Sequence, residues 1–129
     1  MALFPRKRGG GAERLKSRSR VAGVFVVIRF RVAEGDQAVF ETRLVAAVEV
    51  LSRQRGFVAA RAGRSADDPE LLALTMEWQN IGSYRRALSP YDVKLAAVPL
   101  LSEAIDEPTA YEALDVGRDI GSAAVDPAG

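Results

Sequence analysis

The chain contains no cysteine. Disulfides, thiolate metal sites, iron–sulfur ligation and a cysteine nucleophile are excluded together. It contains no histidine either. That removes the Ser-His-Asp triad, the usual haem ligand, most zinc sites and the ordinary general base of neutral pH. No apolar run approaches the ~18 residues of a membrane helix. Aromatic residues make up 7% of the chain, with a single tryptophan, Trp78. An enzyme built from this inventory must use carboxylates, Tyr, Trp, Arg and Lys, or let its substrate supply the reactivity.

What remains is 129 residues, 48% hydrophobic and 27% charged, the balance of one globular domain. The formal charge of +1 conceals an asymmetry. Residues 1–20 carry seven basic side chains against Glu13, a net +6, and the remainder carries −5. This head holds Gly9-Gly10-Gly11 and almost nothing large and apolar after Phe4, so a disordered basic segment is expected over 1–20. The glycines lack the preceding strand and following Lys-Ser/Thr of a phosphate loop. The head alone does not make the chain a nucleic-acid binder. No apolar stretch follows its charges before Val21, so no secretory signal is read and a cytoplasmic location is expected. A Gly/Ala/Ser-rich flexible tail is expected over 116–129, leaving 21–115 as the folded domain.

Val24, Val26, Ile28, Phe30 and Val32 alternate with Phe25, Val27, Arg29 and Arg31, which predicts a strand apolar on both faces. Arg29 and Arg31 are expected to pair with Glu77 or Glu112 across the sheet or the dimer interface, with binding of an acidic ligand as the alternative. Asp36 reads as the cap of a helix running to Arg55, with Phe40, Leu44, Ala47, Val48 and Leu51 as its apolar stripe. Gly56 supplies a left-handed stop. Strands follow at 57–64 and 71–78, joined by the Asp67-Asp68-Pro69-Glu70 turn, whose carboxylates lack the spacing of a calcium loop. A helix over 81–88 comes next. Ser89-Pro90-Tyr91-Asp92 reads as the start of another, with serine as its cap and Pro99 kinking or restarting it. A last edge strand is expected over 109–115. The order β-α-β-β-α-β predicts an α+β, ferredoxin-like fold: a four-stranded antiparallel sheet with helices on one face. The apolar second face then calls for a homodimer packed sheet against sheet.

Five short motifs occur in order: Arg55-Gly56-Phe57, Asp67-Asp68-Pro69, Glu77-Trp78, Ser83-Tyr84-Arg85-Arg86-Ala87-Leu88 and Pro99-Leu100-Leu101. Together, over about 22–114, they resemble the antibiotic biosynthesis monooxygenase domain, a dimeric α+β barrel family. In its polyketide-oxidising branch, a tryptophan at this position and a tyrosine six residues on are associated with the substrate pocket. The resemblance therefore implies Trp78 and Tyr84 as catalytic donors, and Phe40, Leu44, Leu74 and Met76 as substrate-binding walls. Leu74 stands where that branch often carries an asparagine. The haem-degrading branch holds iron through a histidine, which this chain lacks. The implied activity is a cofactor-independent monooxygenase oxidising an electron-rich phenolic, quinol or polyketide-type aromatic with O2. No metal or cofactor is expected. The expected partners are a small aromatic substrate and a second copy of the chain. The alternative is a non-catalytic barrel that binds an aromatic metabolite.

Overall fold

The structure, a computed structural model, describes residues 23–116. The expected basic head and nearly all of the expected flexible tail lie outside them. Strand β1 is Val24–Arg31, helix α1 Gln37–Ser52, β2 Phe57–Arg64 and β3 Leu71–Trp78. Helices α2 (Ile81–Ala87), α3 (Tyr91–Ala96) and α4 (Val98–Leu101) follow, and β4 is Ala110–Glu112. The sheet order is β2-β3-β1-β4, antiparallel throughout. This is the expected α+β, ferredoxin-like arrangement.

Alternation decides the layers. Val24, Val26, Ile28 and Phe30 on β1 and Leu72, Leu74, Met76 and Trp78 on β3 are all buried beneath the helices. Their register places Val24 opposite Trp78, Val26 opposite Met76 and Ile28 opposite Leu74, so both apolar rows face one way. Helix α1 seals them with Phe40, Leu44, Ala47, Val48 and Leu51, the stripe expected from helical spacing. Val93 of α3, Leu100 of α4 and Ala97 between them complete the core. No helix among the described residues is long and apolar enough to cross a membrane.

Several local expectations are corrected. Asp36 does not cap α1 with its side chain. It ends a 3-10 turn over Glu34–Asp36 with helical φ and ψ, not the extended backbone that aims a capping carboxylate at free amides. Helix α1 ends at Ser52, and Gly56 (φ +94°) turns the chain into β2. Pro90, not Ser89, flanks α3. Pro99 starts a new helix within its first turn, where a missing amide hydrogen costs nothing. β4 is only three residues long, although Val27 N donates to Thr109 O (2.8 Å) and Ile105 N to Arg29 O (2.8 Å), so residues 105–112 follow the edge of β1.

Within one chain, the arginines of β1 pair with neither Glu77 nor Glu112. Arg29 forms a two-pronged pair with Glu107, Nε to Oε2 and Nη2 to Oε1, both 2.8 Å. Arg31 reaches Asp68 at 3.0 Å across the β2–β3 turn. Asp68 also accepts Glu70 N, so its carboxylate organises the turn.

Candidate functional site

Trp78 and Tyr84 meet at the corner where β3 gives way to α2. Trp78 ends β3 on the helix-facing side, and two backbone bonds hold the residue after it. Gln79 N donates to Gly56 O (2.8 Å), and Gly23 N donates to Gln79 O (3.2 Å). The Asn80 carboxamide then caps α2 by accepting Ser83 N at 2.8 Å, which fixes the helix start. Tyr84 follows one turn in and leans over the indole. The ring centroids are 5.6 Å apart with the planes tilted by 49°. Phe57 closes the opposite side edge-on at 5.3 Å. Gly56 lets α2 come this close. A Cβ there would run into Ser83 Cβ and Oγ, and Ser83 is buried.

The polar endowment of the corner is small. Trp78 is 0% exposed, and its indole Nε1 is buried with no acceptor among the described residues. Most native interiors avoid such an orphaned donor, because it forfeits water without gaining a partner. Burial pushes the Tyr84 phenol above its ordinary pKa, so at neutral pH it holds its proton. Tyr84 is thus a hydrogen-bond donor here, not a base.

The walls expected from the sequence are core. Phe40 packs on Phe30 with centroids 5.0 Å apart, and Leu74 and Met76 are fully buried. Leu44 is buried as well, but it also lines a hollow of about 520 Å³ between α1 and β2, together with Ala38, Ala62 and Leu72. Leu72 and Trp78 lie six residues apart on one strand, roughly 20 Å at ~3.3 Å per residue. The structure therefore brings Trp78 and Tyr84 together and places this hollow toward the other end of β3. Leu74 and Met76 fill the row between. Among the described residues no group of three His, Cys, Asp or Glu could hold a metal ion.

Sequence reasoning passed over Phe57, Asn80 and Ser83 as parts of the corner. Asn80 was signalled by its place just before a helical run. The Gly56–Ser83 contact joins residues far apart in sequence and leaves no local sign.

The sequence profile described as antibiotic biosynthesis monooxygenase matches residues 23–94, from the start of β1 into α3. The chain is similar to the solved structure of SnoaB, a cofactor-independent oxygenase from Streptomyces nogalater. The two share 27% identity with a TM-score of 0.62, over 72% of this chain and 94% of that one. A conserved protein from Methanosarcina mazei Go1 aligns at 23% identity and a TM-score of 0.60, over 72% of this chain and 94% of its own, which speaks to fold alone. Among curated proteins none matches significantly. The profile spans more than half the chain, including the strand that ends in Trp78 and the helix that carries Tyr84, and on that ground the chain belongs to the antibiotic biosynthesis monooxygenase family.

Proposed function

We propose that this protein is a cofactor-independent monooxygenase for an electron-rich phenolic, quinol or polyketide-type aromatic. The observation that carries the reading is the Trp78 indole N–H, fully buried and without an acceptor among the described residues, on a ring that packs against Tyr84. A donor kept dry and free is preorganised for an anion, whether a substrate phenolate or a reduced oxygen species. The phenol of Tyr84, held protonated by burial, is the second donor. A deprotonated anthrone- or quinol-like substrate can pass an electron to O2 itself. For an anthrone-type methylene, one oxygen atom becomes the new carbonyl and the other leaves as water with the two ring hydrogens. The electrons come from the substrate, and the protein supplies dryness, orientation and donors. The similarity to SnoaB supports this direction.

The working unit proposed is a homodimer. Phe25 and Tyr111 are 41% and 44% exposed on the sheet face turned away from the helices, and they stack at 5.5 Å. Val27 extends this strip along β1. A second copy covering the face would remove that surface from water.

Leu74 favours a second reading. It is fully buried between the hollow and the indole and offers no donor. A non-catalytic barrel that shelters an aromatic metabolite accommodates this. Oxygen uptake with anthrone- and naphthol-like substrates separates the two, with Tyr84→Phe as the diagnostic variant. The monooxygenase reading expects uptake to fall roughly 5- to 150-fold at unchanged melting, the worth of one buried hydrogen bond. Absence of uptake across the panel, with aromatic binding retained, would leave the sheltering barrel.

A further inference from the structure

The hollow between α1 and β2 ends at an arginine that is held in place. Arg64 pairs with Leu72 across β2 and β3, so its side chain leaves on the helix-facing side. Its Nε donates to Gln37 Oε1 at 3.3 Å. Gln37 is 7% exposed, and its Nε2 donates to two backbone carbonyls, Val32 O at 3.0 Å and Pro69 O at 2.7 Å. Both amide hydrogens are thereby used, and the carboxamide oxygen is aimed at Arg64. A buried amide spent on orienting a half-exposed guanidinium is a costly way to tether a surface arginine, but an economical way to preorganise one. The remaining neighbour is Glu41, whose Oε2 is 3.9 Å from Nη2, well beyond a charge-assisted hydrogen bond. The outer edge of the guanidinium carries only this loose ion pair.

The surface beside it is mostly apolar, with Glu41 and Thr42 also on its lining. Ala62 pairs with Leu74 and therefore faces the helices, yet it is exposed, because α1 does not close over this end of β2. Two small side chains, Ala38 and Ala62, leave the 520 Å³ hollow open above Leu44 and Leu72. Arg64 also borders the adjoining hollow over Gln37 and Glu41. The nearby Glu41 carboxylate disfavours a doubly charged ligand. We propose that this is a binding site for a small amphipathic monocarboxylic acid: its ring or short chain lies between α1 and β2, and its carboxylate meets the Nη edge of Arg64. The site lies toward the opposite end of β3 from Trp78 and stands independently of the oxygenase reading.

The test is an amide NMR titration of the full-length protein with 2-naphthoate, with 2-naphthalenemethanol as the uncharged probe of the same body. Saturable shifts at Ala38, Ala62 and Gly63 are expected with the acid, and binding at least about tenfold weaker with the alcohol. Arg64→Gln should weaken naphthoate by at least about tenfold while lowering the melting temperature by no more than a few degrees, the loss of one donor to Gln37 Oε1. Ala62→Leu should abolish the shifts by filling the hollow. Should that variant misfold, Arg64→Gln alone decides. Equal affinity for acid and alcohol, unchanged affinity in Arg64→Gln, absence of saturable shifts, or shifts centred on Trp78 and Tyr84 would each overturn the assignment.

Discussion

Replacing Trp78 by phenylalanine sets two opposing terms against each other. The indole is fully buried between Phe57 and Tyr84, and the smaller ring removes about two buried carbons and the ring nitrogen. At ~0.8 kcal/mol per buried carbon, lost burial costs about 1.6 kcal/mol, and a little more for the space left behind. The same change deletes the orphaned N–H, whose burial without a partner costs about 1–3 kcal/mol. The terms nearly cancel, so Trp78→Phe should lie within about 1 kcal/mol of the parent. That is far milder than the usual 3–5 kcal/mol for truncating a buried tryptophan to alanine. Trp78 is the only tryptophan, so indole fluorescence vanishes with it and unfolding must be followed by far-UV circular dichroism in urea. A loss above about 2 kcal/mol would refute the reasoning, because it would mean that the N–H is satisfied in the resting protein. The proposed function would then lose its free donor.

Gly56→Ala should cost about 2 kcal/mol or more, since it combines a left-handed backbone (φ +94°) with a clash against Ser83. It should also shift Trp78 fluorescence, and a variant as stable as the parent would show that the corner is not held by this contact. The Arg29 guanidinium, through its hydrogen bonds and then its charge, holds the Glu107 carboxyl below the ordinary glutamate range. A depressed carboxylate stabilises the fold above its unfolded pKa and loses that contribution as pH falls through the lower folded value. Side-chain carboxyl NMR should place the Glu107 midpoint low, and Arg29→Gln should raise it; a midpoint indifferent to Arg29 contradicts the pairing. Light scattering at micromolar concentration should give a dimer mass, reduced to a monomer by Phe25→Glu, and a monomeric parent protein would remove the case for a covered sheet face.

The local elements were legible because they repeat with a short period. The two-residue alternation of Val24 to Phe30 and of Leu72 to Trp78, and the three-to-four spacing of Phe40, Leu44, Ala47 and Leu51, fix which side of each element shuns water. Once those sides and their order are known, one antiparallel sheet with helices on one face follows, and Gly56 marks its own turn. The ends of elements were less legible. Asp36 and Ser89 look like caps by type, but a cap works only if the backbone aims it, and here other bonds took the backbone elsewhere.

Only tertiary structure decided the partners of polar groups, because these are set by residues distant in sequence. Glu107 reaches Arg29 because residues 105–112 return along β1, seventy-eight positions later. Gln37 reads as an unremarkable first helical residue until the fold places Val32 O, Pro69 O and Arg64 around it. The spacing of Trp78 and Tyr84 pointed to a site, but that the indole N–H finds no acceptor among the described residues depends on how Phe57, Tyr84 and the core close around it. Leu74 and Met76 were placed on the correct face by their period. Whether that face is lined with space or filled is a question of volume, which depends on packing: Leu74 and Met76 are fully buried, and a hollow opens where α1 leaves Ala62 uncovered.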